Sequence, residues 1–152
     1  MSTPDRPHID PTEQYDLLHQ MGIALLGKAP DNWHEIVYTT NRLVGYGTHR
    51  PLVRFADDSS EVFSLPPEIL SKEKKLREAM YQEGKGTWFS MIYRIVRPGK
   101  FTTEFNYDNP PEFTIPPNPS SYAADLEYFP RDPEHIPDWL QEQLRRAETE
   151  ED

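Results

Sequence analysis

The stretch Thr87–Asp108, TWFSMIYRIVRPGKFTTEFNYD, decides the fold class. Thr87–Val96 gathers Trp88, Phe89, Met91, Ile92, Tyr93, Ile95 and Val96 into the strongest strand signal of the chain. Pro98-Gly99 marks a tight turn, because proline presets one backbone angle and glycine accepts angles that other residues resist. Phe101–Tyr107 then alternates Phe101, Thr103, Phe105 and Tyr107 with more polar residues, the two-residue period of a half-buried strand. The segment predicts a β-hairpin.

Outward from the hairpin, the same rules place the other elements. Trp33–Leu43 is rich in β-branched and aromatic residues and predicts a strand, followed by a turn or bulge at Gly45-Tyr46-Gly47. Leu52–Phe55 predicts a second strand, Asp57–Ser60 a turn, and Glu61–Leu65 a short third strand. Asp10-Pro11-Thr12-Glu13 is a helix start, with Asp10 as N-cap, Pro11 in the first turn and Glu13 at the capping-box position. The apolar stripe Tyr15, Leu18, Met21, Leu25 and Leu26 continues that helix until Gly27 and Pro30 stop it. A second helix is predicted from Pro67 to Glu83, its apolar face formed by Ile69, Leu70, Leu76, Met80 and Tyr81. Downstream, 108–137 is proline-broken and irregular, with a short strand or turn expected over Tyr122–Phe129. Pro133–Arg146 predicts a last helix with Ile136, Trp139, Leu140 and Leu144 inward. The order implies an α+β fold, an antiparallel β-sheet with helices packed mainly on one face. It forms a single domain over 10–146, between a disordered leader, 1–9, and an acidic disordered tail, 147–152.

Charge is distributed unevenly. Residues 1–100 hold thirteen acidic and thirteen basic side chains; 101–152 hold thirteen acidic ones against Arg131, Arg145 and Arg146, and so carry the whole net charge of −10. Such a surface repels nucleic acid and anionic membranes and attracts a basic protein. With no cysteine, disulfides, thiolate zinc sites and cysteine nucleophiles are excluded. The polar stretch Met1–Ile9 lacks the apolar core of a secretory signal, and the longest apolar run, Ile23–Leu26, is too short to span a bilayer; a cytoplasmic location is expected.

Chemistry-bearing motifs are sparse. His8, His19, His34, His49 and His135 include no pair at helical ligand spacing, so no metal is expected. Gly84-Lys85-Gly86-Thr87 superficially resembles a phosphate loop, yet it follows a predicted helix and enters a strand, so no helix N-terminus faces a phosphate. Asp57, Asp58 and Glu61, like Asp108 and Glu112, sit at predicted turns, where aspartate serves the backbone. Lys72, Lys74, Lys75 and Arg77, interleaved with Glu68, Glu73 and Glu78, predict a salt-bridged, solvated helix face. No serine stands in a Gly-x-Ser-x-Gly elbow. A non-enzymatic binding protein without a cofactor is the expectation.

Pro30-Asp31-Asn32-Trp33 before a strand, Trp88 leading into Ile92-Tyr93-Arg94-Ile95, the turn Pro98-Gly99-Lys100-Phe101 and the close Phe105-Asn106-Tyr107-Asp108 stand in a telling order. Together they resemble the YezG-like antitoxin or immunity family of bacterial polymorphic toxin systems, over a span from about Gln14 to Tyr128. The resemblance implies a small cytoplasmic protein, encoded beside a large secreted toxin, that binds and neutralises the toxin's C-terminal domain. That domain is a nuclease or an NAD-degrading enzyme, and neutralisation occludes its active site. The chain departs from the family pattern in the proline segment Asp108–Pro119 and the long acidic C-terminus.

The residues themselves suggest where such a partner would bind. Tyr107, Phe113, Tyr122 and Tyr128 lie among the carboxylates Asp108, Glu112, Asp125 and Glu127, joining aromatic anchors to steering charge. An alternative is a non-catalytic adaptor that binds a basic or proline-recognising partner through Pro110-Pro111 and Pro116-Pro117-Asn118-Pro119.

Overall fold

The computed structural model describes residues 10–149. Among these, four α-helices and a five-stranded antiparallel sheet form an α+β fold in the order α1 (Pro11–Lys28), β1 (Trp33–Leu43), β2 (Tyr46–Phe55), β3 (Ser60–Val62), α2 (Glu68–Ala79), β4 (Ser90–Val96), β5 (Lys100–Asn106), α3 (Pro119–Tyr128) and α4 (Asp138–Thr149). A 3-10 turn, Pro133–His135, precedes α4. Spatially the strands run β3-β2-β1-β4-β5, so the hairpin β4–β5 is zipped to the hairpin β1–β2 along the central pair β1–β4. The leader 1–9 and the tail residues 150–152 lie outside the described residues; α4 itself extends through Ala147–Thr149.

Period-two alternation assigns the two faces of the sheet. Ile36 and Tyr38 of β1, Val53 of β2 and Met91, Tyr93 and Ile95 of β4 point to one side and form the core with Met21 and Leu25 of α1 and Ile69 and Leu76 of α2. α1 lies close against the sheet at Gly22, where a Cβ would sit 2.5 Å from the Tyr93 hydroxyl. That hydroxyl donates to the Leu18 carbonyl at 2.5 Å, and burial raises its pKa above the ordinary tyrosine value. The Asp10 carboxylate caps α1 by accepting from the Glu13 N–H at 2.9 Å, as the sequence predicts.

α3 and α4 pack on each other and close one end of the sheet around Leu43, Phe89, Tyr122 and Leu140. Alternation in β1 breaks there: Thr40 and Asn41 are both buried, because α2 covers one side while the segment after β5 crosses the other.

Four expectations are corrected. Tyr122–Phe129 is helical, not a strand or turn: Pro119 occupies the first turn, and Tyr122, Asp125, Leu126 and Phe129 recur at helical spacing on the inner side. α2 stops at Ala79, short of Glu83, and a tight Gln82–Gly86 turn follows. β2 begins at Tyr46, well before Leu52, since Gly47 and His49 pair with Arg42 and Thr40. Pro133–Arg146 divides into the 3-10 turn and α4 on either side of Pro137, whose missing N–H cannot continue a helix.

Candidate functional site

The described part of the acidic last third beyond β5 is a folded layer, and two buried arginines fasten it. Arg77 of α2, 3% exposed, meets Asp125 of α3 as a bidentate fork, Nη1 to Oδ1 at 2.7 Å and Nη2 to Oδ2 at 2.9 Å. Its Nε donates to the Trp88 carbonyl at 2.7 Å, and its guanidinium lies 4.9 Å over the Phe129 ring. Asp125 also accepts from the Val44 N–H at 2.7 Å, so one carboxylate ties α3 to both α2 and the β1–β2 turn. Arg77 and Glu73 therefore leave the solvated helix face on which the sequence placed them.

Arg131 is the second fastener. Its guanidinium donates to the carbonyls of Tyr107, Thr87 and His135, contacts the Asp108 carboxylate at 3.2 Å and stacks over Phe89. Burial lowers its pKa below the usual arginine value, against the opposing pull of Asp108. Gly84-Lys85-Gly86 is the seat for this residue: Gly84 and Lys85 bridge to Arg131, and a Cβ on Gly86, at φ +86, would collide with the guanidinium. The glycines of the apparent phosphate loop thus serve a close backbone approach.

Of the eight residues drawn from sequence, the aromatic ones hold the layer together. The Tyr107 hydroxyl donates to the Met80 carbonyl at 3.1 Å; Tyr128 reaches Glu78 Oε2 at 3.2 Å. Phe113 packs against Tyr46 and Tyr122, and Tyr122, 7% exposed, meets Trp139 edge-on. Burial raises the pKa of both Tyr107 and Tyr122. Asp125 is buried on Arg77, so of the four carboxylates only Asp108, Glu112 and Glu127 face outward. They sit on different parts of the layer, Asp108 and Glu112 on the segment after β5 and Glu127 on α3.

The sequence reading overlooked a further outward set, Asp132, Glu134, Asp138 and Glu142, all exposed from the cap of the 3-10 turn into α4, and it placed Glu148, exposed on α4, in a disordered tail. Helical spacing signals it, since Leu140 and Leu144 inward put Asp138 and Glu142 outward. The cations of this third leave little to offset them. Arg131 is turned inward, and Arg145 pairs with Glu142 at 2.5 Å.

A second polar constellation lies under α2. The Glu73 carboxylate, 0% exposed, accepts from the Tyr38 hydroxyl at 2.6 Å, Thr40 Oγ1 at 3.0 Å and Arg42 Nη1 at 3.0 Å. His49 Nδ1 stands 3.0 Å from both hydroxyl oxygens. Each hydroxyl has one proton and gives it to the carboxylate, so the imidazole carries its proton on Nδ1. Burial, and next the Glu73 charge, raise the Tyr38 pKa above the ordinary value and keep it a donor. Sequence alone could not find this cluster, because Glu73 stands in a run of alternating charges.

His49 is pushed below its ordinary value of 6.5, first by burial and then by Arg42, against the opposing pull of Glu73. The neutral ring then contributes stability that is fully present above the unfolded value and is lost as pH falls through the lower folded one. Thermal unfolding followed from pH 7 to 5 should show a falling Tm, and His49→Gln should flatten part of that slope. An unchanged slope would mean that His49 titrates alike in both states.

Asp57 takes the turn role assigned to it: it accepts from the Ser59 N–H at 3.0 Å, and Ser59 holds its carboxyl below the usual range. No group of three metal-ligating side chains occurs among the described residues, and none of their helices is long and apolar enough to cross a membrane. No protein-family model matches the chain, and no curated protein matches it.

Proposed function

We propose that this chain is a cytoplasmic immunity protein or antitoxin that binds a cognate secreted toxin domain, a nuclease or NAD-degrading enzyme, and occludes its active site. One observation carries the reading. Within the third of the chain that holds the whole net charge of −10, the described residues after β5 form a layer fixed by buried Arg77 and Arg131, and their carboxylates other than Asp125 face outward. A fixed acidic surface steers a basic partner into one orientation, and loses less entropy on binding than a floppy one. Resemblance to the YezG-like family supports the same role. The adaptor alternative gains less support. Ile115 and Thr114 of the proline segment are tied to Tyr46 and Thr48 through hydrogen bonds, so the prolines are not a free ligand arm.

The test is inhibition of the toxin domain encoded beside this chain, read as binding rate and residual toxin activity. Reversing Asp132, Glu134 and Asp138 to lysine should slow association by about one to two decades at low salt, with much of the difference lost at high salt. A purified chain that neither binds nor inhibits that domain would refute the reading.

A further inference from the structure

α1 and α2 cover one face of the sheet; most of the other face is open. β-sheet pairing places Val62, Leu52 and Val37 side by side across β3, β2 and β1, with Val96 and Ile92 beside them on β4. Val62 is 57% exposed and Val96 43%, large values for aliphatic strand residues. Around this band stand Arg50, Arg54, Arg94 and Lys100, against Glu35 and Glu104 on the strands and Glu112 at the rim. The pairs Arg54–Glu35 and Arg94–Glu104 are loose, at 3.7 Å each, and leave both arginine side chains more than 40% exposed. Asn41 and Thr48 hold the segment Glu112–Thr114 across one end, over a hollow of about 320 Å³ lined by Thr39, Arg50 and Ile92. A protein of net charge −10 thus presents a net-cationic, aliphatic sheet face.

We infer that this face is a second docking surface and that its occupant is an acidic amphipathic helix of a protein partner. The helix lays its apolar stripe along Leu52, Val37 and Val96, and its flanking carboxylates reach Arg50, Arg54 and Arg94. Covering an open sheet face with a helix is the usual way to complete such a layer. Charge complementarity selects the occupant. A second copy using the same face would set its surplus cations against these. Single-stranded nucleic acid needs aromatic platforms for its bases, and the open band offers none: Tyr46, the one aromatic strand residue on this side among the described residues, packs against Phe113 at the covered end. A basic toxin held on the acidic layer is repelled from this face, so the inference stands apart from the toxin reading.

The probe is a synthetic helix of ~18 residues, five turns, with a leucine stripe flanked by glutamates, titrated into the isotope-labelled full chain. Amide signals of Val37, Thr39, Leu52 and Arg94 should move. Arg50→Glu with Arg94→Glu should weaken binding by at least about tenfold while circular dichroism and Tm stay unchanged. The same helix with lysines should leave those amides still and move signals in α4 instead. The inference is overturned if the glutamate helix moves no sheet-face amide at ~1 mM, or binds the double variant equally well. A self-association lost in the double variant, or poly-uridylate moving the same amides, would also overturn it by assigning the face to another occupant.

Discussion

Replacing Arg77 by methionine should destabilise the fold by about 3–5 kcal/mol, the range found when one partner of a buried ion pair is removed. The guanidinium is 3% exposed, and its loss leaves Asp125 charged and buried with the Val44 N–H as its remaining partner. The Trp88 carbonyl loses its donor as well. Against a total of about 5–15 kcal/mol such a loss is large, and the Tm should fall by roughly 6–20 °C. Arg77→Met combined with Asp125→Leu should recover part of that fall, because no charge is stranded, but not all of it, because Val44 N and the Trp88 carbonyl stay unpaired. Trp139, packed edge-on against Phe89, reports the consequence through its fluorescence, which should shift to the red as α3 and α4 loosen. A single variant within ~1 kcal/mol of the parent would show that the fork does not hold the layer. On the proposed function, toxin binding should weaken in parallel, since the acidic surface is presented by the elements that loosen.

Glu73→Ala should cost about 3 kcal/mol, the lower end of the buried-pair range. Two effects oppose each other. Removing the carboxylate opens a cavity under α2 and strands Tyr38 and Thr40. Arg42, however, has 16% of its side chain exposed and can turn to water, and one of the two hydroxyls can donate to His49 Nδ1 once the ring proton moves to Nε2. The variant carries its own check: the Glu73 charge raises the His49 pKa, so its loss should move the ring's titration to lower pH in an NMR experiment. A His49 titration left in place would show that the carboxylate and imidazole are not electrostatically coupled.

How much of this was legible in the sequence depends on the range of the interactions involved. The hairpin Ser90–Asn106 and α1 follow from local rules: alternation, a turn pair, a capping aspartate. α3 was missed because its helical spacing lies in a proline-broken stretch, where local preference for irregular backbone is strong and the decisive contacts, Asp125 to Arg77 and Tyr122 to Trp139, come from distant residues. Glu73 and Arg77 read as surface charges for the same reason. A charge run along a helix gives no sign that one member faces Tyr38 and another Asp125.

The segregation of charge, the α+β order and the absence of cysteine chemistry were determined by the sequence itself, since they are sums or local patterns. Which carboxylates face outward was decided only in three dimensions. Asp125 is drawn inward because Arg77 compensates its desolvation, and Arg131 is drawn inward because carbonyls from three segments converge on it. The exposed sheet face with its arginines is likewise a product of topology: both main helices pack on the opposite side, where Met21, Leu25, Ile69 and Leu76 find the larger apolar surface.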